Sequence, residues 1–486
     1  MLGKRYLFLT GFLLIFSLVT GQGHEIKVKI NGLKDVNVIL GHYLNKSMYP
    51  DDTIMLDAKG SGVFSGSKLP EGMYVMYLPN TRYFDILMGA DQQFSLEVDT
   101  FDFINTLKIK GSEDNQLFMD FQMYVTLLRK QDDSLVNIQK VEKDSKIRDQ
   151  LTQKRKSLYN ERIARIKSIT RENPGLFVST FLIATLDVEV PEPPRDANGK
   201  IDSTWQYYYY RNHYFDNFNI SDARLLRTPL YEDKVLNYLT KVIPQIPDSL
   251  IPSIDFLIEK SRADSNLFRF MLITLFNYYG KSNIMGMDAV QVYIADKYYL
   301  KESWWSDNKF LTDLRERVDK IRPLLIGKVA PDMELMLVPA EHFKAAIADT
   351  SLKKFPHVGT QFKMHQLQAK YLVLIFWEAD CGHCKVAVPE LYKAFERSLM
   401  NKGVKVLAIS TLFGEDGKAK WVDFVNQHGI YGWINAWNPY SFDFKLTYDV
   451  ATTPQIYILD EDKKIIAKKI GPEQVEEIIT ALTHGK

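Results

Sequence analysis

The rhythm of apolar and polar positions changes twice along this chain. His24-Glu25-Ile26-Lys27-Val28-Lys29-Ile30 alternates with period two, as a strand with one buried face does. Short apolar runs come next at Val36–Leu40, Met73–Leu78, Phe84–Leu87, Phe94–Val98 and Leu107–Ile109. Asn31-Gly32, Gly60-Ser61-Gly62 and Pro70-Glu71-Gly72 read as breaks between runs. Short strands at this spacing predict a small β-sandwich over residues 22–111.

From Ser112 to Asn173 the sequence holds no Gly and no Pro. Leu117, Phe118, Phe121, Tyr124, Val125 and Leu128 recur at helical spacing, and so do Leu151, Leu158, Ile163 and Ile166 in a charge-dense stretch. Two or three long helices are predicted, ended by Asn173-Pro174. Helical patterns resume at Leu176 and run to about Ile326, interrupted near Pro191–Pro194 and at Pro244 and Pro247. Residues 112–326 therefore read as an α-helical domain. Within it, Trp205, Tyr207–Tyr210, Tyr214, Phe215 and Phe218 could form an aromatic platform for a sugar or peptide. The preferred reading is a helix packed on several faces, with tyrosine hydroxyls reaching water.

The rhythm changes again near Gly327. Tyr371–Trp377 is an unbroken apolar run of strand length, which a strand buried on both faces requires. Pro389–Met400 reads as an amphipathic helix, Val404–Ile409 as a second buried strand and Asp416–His428 as another helix. Gly432–Ala436 reads as a short strand and Phe442–Tyr448 as a short helix. Gln455–Leu459 and Lys464–Ala467 form a hairpin, and Pro472–Leu482 is a last helix. The order β-α-β-α-β-α-β-β-α predicts an α/β fold over residues 327–486, with a parallel core and an antiparallel hairpin at its end.

Ahead of these blocks stands a different pattern. Lys4 and Arg5 precede an apolar stretch of 14 residues, Leu7 to Thr20, with Val19 and Gly21 before Gln22. That is short for a membrane span and suits a signal peptide over 1–21, cut before Gln22; an uncleaved anchor is the alternative. Cleavage would remove two of 61 basic residues and none of 60 acids, leaving 59 against 60. No later stretch is long and apolar enough to span a bilayer, since Leu267–Leu275 contains Arg269. These features predict a soluble protein of the periplasm or cell envelope. The balanced charge argues against nucleic-acid binding.

The chain has two cysteines, both in Cys381-Gly382-His383-Cys384, directly after the buried strand. Two thiols cannot build a disulfide scaffold, and no further ligands stand nearby for zinc. A structural bridge over so short a loop would add little stability. Placed at the start of a helix, Cys381 would have its thiolate favoured by free N–H groups and the helix dipole. His383 adds positive charge when protonated, and Cys384 lies one helical turn away. The pattern points to dithiol–disulfide exchange: Cys381 attacks a disulfide and Cys384 resolves the mixed species. No cofactor is implied.

Phe376-Trp377-Glu378-Ala379-Asp380-Cys381-Gly382-His383-Cys384-Lys385, with Pro389 beyond it, resembles the active-site segment of thioredoxin-like proteins, most of all the TlpA-like thiol-disulfide oxidoreductases of the bacterial envelope. Thr453-Pro454 resembles that family's cis-proline motif. Gly327-Lys-Val-Ala-Pro331-Asp is similar to the segment that enters the fold. The resemblance covers 327–486 and implies a thioredoxin-like domain. In it Pro454 is cis beside the cysteines, Thr453 offers its backbone to an extended substrate, and Trp377 packs beneath the site. It also implies a redox disulfide between Cys381 and Cys384, protein thiols or disulfides as substrates, and a membrane electron donor or acceptor. The domains ahead of it resemble uncharacterised companions of such domains.

Three positions depart from the pattern. Asp380 replaces the usual Trp, and its carboxylate is expected to raise the Cys381 pKa. Ile375 and Ala387 stand where thioredoxin and many TlpA-like proteins carry a buried acid, leaving Glu378 as the substitute proton acceptor for Cys384. Gly382-His383 is the dipeptide of protein disulfide isomerases, whose poise is more oxidising. Two other functions are weighed: an envelope peptide- or glycan-binding protein with a redox-silent thioredoxin-like domain, and a peroxidase. Peroxiredoxins need a Thr where this chain has Glu378.

Overall fold

The computed structural model describes residues 23–354, 358–438, 441 and 443–484. The signal peptide read at 1–21 and the first residue of the helix read at 442–448 lie outside them. The chain forms two compact units. One holds the described residues up to 242 together with 260–267, and the other holds 243–259 together with the described residues from 268 onward.

The first unit begins with eight strands: β1 His24–Asn31, β2 Asn37–Leu44, β3 Ser47–Met55, β4 Ser61–Gly66, β5 Gly72–Leu78, β6 Arg82–Met88, β7 Gln93–Asp99 and, after the short helix α1 Phe103–Thr106, β8 Lys108–Lys110. They form two four-stranded sheets, β4-β1-β7-β8 and β3-β2-β5-β6. Ile26 and Val28 of β1, Leu96 of β7, Leu40 of β2 and Met76 of β5 belong to one apolar cluster fed by both sheets.

Two strands depart from the sequence reading. Gly60-Ser61-Gly62 is not a clean break, because β4 starts at Ser61. β3 is hidden in the sequence because only Met48 and Ile54 are even half-buried in it. It is an edge strand, and its Pro50 sits where the β2–β3 register shifts: Leu40 faces Asp52 but Gly41 faces Pro50. Proline, lacking an N–H, is tolerated at such an edge irregularity.

Helices come next: α2 Glu113–Val141, α3 Ser145–Glu172, α4 Phe177–Ala184, α5 Trp205–His213 and α6 Tyr231–Asn237. Phe118 and Phe121 of α2, Ile166 and Ile169 of α3, and Phe177 and Phe181 of α4 pack on Met73, Val75 and Leu87. The second face of the β3-β2-β5-β6 sheet is thus covered, which accounts for the burial of β5 at six of its seven positions. Asn115 binds to the edge strand β6. Its amide accepts the Leu87 N–H at 2.8 Å and donates to the Leu87 carbonyl at 2.7 Å, as a neighbouring strand would.

The aromatic run lies on and after α5. Tyr209 is stacked between Trp205 and His213, with centroids 5.0 and 4.2 Å away. Both faces of that ring are occupied by its own helix, and Tyr214 and Phe218 are buried. Packing accounts for most of the run.

Along the remaining chain come α7 Pro247–Ser261, α8 Ser265–Gly280, α9 Met287–Ile294, α10 Leu300–Glu302 and α11 Asn308–Ile321. Beyond them lie β9 Glu334–Leu337, α12 Ala340–Ala348, β10 Thr360–Lys363, β11 Tyr371–Trp377, α13 Cys384–Ala394, β12 Val404–Ser410, α14 Gly414–His428, β13 Ile434–Trp437, α15 Asp443–Thr447, β14 Gln455–Asp460, β15 Ile465–Lys468 and α16 Pro472–His484. The seven-stranded sheet runs β10-β9-β13-β12-β11-β14-β15. β11, β12 and β13 are parallel, whereas β14 and β15 form the antiparallel hairpin.

β9, α12 and β10 add to the elements expected from sequence; both strands are four residues long and β10 has no buried position. α13 also starts earlier than expected, at Cys384, and carries Pro389 inside it. Helices and loops cover both faces of the sheet. Val373, Ile375 and Trp377 enter one apolar cluster, and Leu372, Leu374 and Phe376 enter the other. β11 is accordingly buried at every position.

Candidate active site

β11 and β12 are parallel neighbours, so the chain must cross from the end of one to the start of the other. α13 makes that crossing, and its first turn meets the end of β11. There the chain turns through Glu378–His383, with the Cys381 N–H donating to the Glu378 carbonyl at 3.3 Å. The helix proper begins at Cys384, so Cys381 stands just before it rather than at its first position. The Cys381 carbonyl nevertheless accepts the Lys385 N–H at 3.1 Å, the first helix-type bond.

The two thiols occupy opposite environments. Cys381 is partly exposed, and Cys384 is fully buried in the cluster that holds Trp377, Val388 and Ile456. Both are free thiols, so the structure holds the reduced pair rather than the disulfide. Partial burial raises the Cys381 pKa. The backbone N–H of Cys384, the side chains of Thr453 and Cys384 and the backbone N–H of His383 favour the thiolate more strongly, and the net shift is downward. Burial pushes Cys384 up to about 12, with its hydrogen bond to the Cys381 sulfur adding to the rise and the backbone of Glu378 opposing it.

The Thr453-Pro454 peptide is cis. The Cys381 thiol donates to the Thr453 carbonyl at 3.3 Å, so this loop lies directly beside the exposed sulfur. Trp377 is buried on the far side, packed against Phe424 at 5.0 Å. Gly382 lies open to solvent, and a Cβ there would meet nothing within 4 Å.

Two expected tuning effects change. The Cys381 pKa falls rather than rises, and Asp380 is not among the main causes of its shift. The Asp380 carboxylate takes the Lys420 ammonium at 2.9 Å, and that pairing holds Asp380 below the usual carboxylate range. His383 touches the Cys381 sulfur through its backbone N–H, and its side chain is exposed.

The Glu378 carboxylate is held by groups the sequence reading missed. It accepts the Thr411 hydroxyl at 2.7 Å and pairs with Lys445 at 3.4 Å. Thr411 could have been found from register. Ser410 faces Trp377 in the parallel pair, so the residue after each strand meets the other. Lys420 and Lys445 lie on α14 and α15, 40 and 67 positions from their partners, and carried no local signal. Among the described residues, no three His, Cys, Asp or Glu side chains gather as a metal site.

Residues 326–468 match the AhpC/TSA family, and 139–322 match a domain of unknown function, DUF5106. Thiol-disulfide oxidoreductase ResA of Bacillus thuringiensis (strain Al Hakam) and that of Bacillus anthracis are each 27% identical over 127 residues. The matched stretch is 25% of this chain and 66% of each relative, just under two thirds of their length. A thioredoxin-like protein from Bacteroides caccae is 17% identical, with 60% of this chain and 99% of that one covered at a TM-score of 0.43. A domain of a possible thiol-disulfide isomerase from Cytophaga hutchinsonii is 32% identical, with 34% of this chain and 96% of that one covered at a TM-score of 0.27. With a cysteine pair at the β11–α13 junction, a cis-proline loop against the outer sulfur and these sequence matches, the C-terminal thioredoxin-like domain is similar to the thiol-disulfide oxidoreductases.

Proposed function

We propose that this protein is a secreted, periplasmic thiol-disulfide oxidoreductase that exchanges disulfides with protein partners through Cys381 and Cys384. The observation that carries the reading is the contrast between a partly exposed sulfur beside Thr453-Pro454 and a fully buried one behind it. The Cys381 thiolate attacks one sulfur of a substrate disulfide. A Cys381–substrate bond forms, the substrate's own S–S bond breaks, and the departing sulfur takes up a proton. Cys384 then gives up its proton and attacks the Cys381 sulfur. The internal disulfide forms, the second substrate sulfur leaves, and the substrate has gained two electrons from the dithiol. A membrane donor or acceptor of the envelope resets the pair.

Cys381 serves as nucleophile and Cys384 resolves. The backbone N–H groups at the start of α13 tune the thiolate, and Thr453 with Pro454 shapes the substrate groove. Glu378, its carboxylate held by Thr411 and Lys445, is read as the substitute acceptor for the Cys384 proton. The N-terminal pair of sheets, sharing one apolar cluster, is read as a β-sandwich that serves, with the helical region after it, partner choice or dimerisation. Export rests on the apolar stretch Leu7–Thr20, and N-terminal sequencing of the secreted chain should begin at Gln22.

The test is a Cys384→Ser variant exposed to envelope proteins. Mixed disulfides should accumulate, and they should vanish when Cys381→Ser is added. No trapped species, together with no dithiol exchange by the purified wild type, overturns the reading. The reduction potential then fixes direction, near about −270 mV for a reductant and about −120 mV for an oxidant.

A further inference from the structure

The α2–α3 hairpin has two unlike halves. At about 1.5 Å per residue, its helices of 29 and 28 residues run for roughly 43 and 42 Å. The buried positions of α2 all fall between Asp114 and Leu128, and those of α3 are Ile166 and Ile169 near its end, with Leu151 alone in the far half. In that far half the helices hold each other by polar contacts. Asp132 pairs with Arg155 at 2.6 Å, and Gln139 donates to Thr152 at 2.9 Å.

The apex is neither polar nor neutral. Ile138, Val141 and Ile147 are 47%, 78% and 40% exposed. Lys140, Lys143, Lys146 and Arg148 surround them, all exposed and none in an ion pair among the described residues. Three acids share this stretch, Glu142 and Asp144 bound to backbone N–H groups and the exposed Asp149, so residues 138–149 carry four cations against three acids. Glu142 accepts the N–H groups of Lys143 and Asp144 at 2.7 and 2.8 Å, and Asp144 accepts the N–H of Lys146 at 2.8 Å. In a chain with 61 basic and 60 acidic residues, this end collects exposed cations around bare aliphatic side chains.

We propose that the apex of the hairpin docks on an anionic lipid bilayer surface. Ile138, Val141 and Ile147 enter the interface, and Lys140, Lys143, Lys146 and Arg148 meet lipid phosphates. Aliphatic side chains ringed by Lys and Arg are the composition of interfacial anchors. An acidic protein would satisfy the cations but would need a pocket matched to three aliphatic groups on a narrow end. A fluid interface takes that end without matched shape. No described helix is long and apolar enough to cross a membrane, so the contact is peripheral.

The experiment uses the chain from Gln22 onward, which retains every described residue, sedimented with vesicles of neutral phosphatidylcholine or of phosphatidylcholine with phosphatidylglycerol. Binding is expected to the anionic vesicles only, and to weaken steeply with salt. Lys143→Glu with Lys146→Glu should lower the partition coefficient by about tenfold or more, and Val141→Ser by about threefold. These positions are exposed, and circular dichroism checks that the helices persist. Equal binding to neutral vesicles, no binding to anionic ones, or wild-type binding by the charge-reversed variant overturns the proposal. Dithiol exchange by the same variants should be unchanged, so this result is separate from that of the trapping experiment.

Discussion

β5 and β11 are both central strands buried almost end to end, yet only one of them leads to reactive chemistry. The difference lies in the connection that leaves each strand. β5 turns back through Asn80 and Thr81, both at positive φ, and pairs antiparallel with β6 from Met73 to Leu78. The turn leads straight into the ladder with β6 and not to the start of a helix. β11 must cross to a parallel partner, so its end faces the first turn of α13, where N–H groups lack helical acceptors. Those of His383 and Cys384 turn to the Cys381 sulfur instead. A buried strand supplies rigidity and exclusion of water, and the parallel crossover adds free donors beside them.

The largest expected effect is the separation of the two thiols. Cys381 lies below the ordinary 9.0 and Cys384 near 12, a gap of more than about three pH units, or roughly a thousandfold in thiolate fraction. Alkylation of the reduced protein by iodoacetamide should therefore rise with pH, with a midpoint below pH 9 for Cys381. Cys384, read in the Cys381→Ser variant, should stay nearly inert across that range. Comparable rates at neutral pH would show that the start of α13 does not distinguish the sulfurs.

Next in size is a matched pair of core truncations. Leu374 in β11 and Met76 in β5 are both fully buried. Changing either to Ala should cost about 2–5 kcal/mol in denaturant unfolding. Met76→Ala should leave the Cys381 alkylation rate within about twofold, since its cluster contains no part of the site. A Met76→Ala variant with altered thiol reactivity would break the comparison. The smallest effect concerns Asp380→Asn. With its charge already paired to Lys420, removing it should move the Cys381 alkylation midpoint by less than about half a pH unit. A drop of a full unit would restore the direct repulsion expected from sequence.

Legibility in the sequence tracks burial and range. β11 announces itself because both its faces are covered, and an unbroken apolar run of seven residues suits few places in a fold besides a central strand. The cysteines stand out because they adjoin that run, and Pro454 through its resemblance to a known motif. β3 and β10 escape notice because exposed edge strands carry no apolar period. The partners of Asp380 and Glu378 are hidden for a different reason. A lysine on a distant helix looks like any solvated lysine until the fold brings it to within 2.9 or 3.4 Å. The pairing that weakens Asp380's influence is invisible in the sequence on that account.

The bond pair between Asn115 and Leu87 bears on how this chain behaves in company. A sheet border with free N–H and C=O groups recruits strands from other molecules, the first step of ordered aggregation. β6 is such a border, and the Asn115 amide holds both groups of Leu87 from a helix already fixed in the core. One side chain thus closes the place where an unfolded neighbour would have begun to add itself.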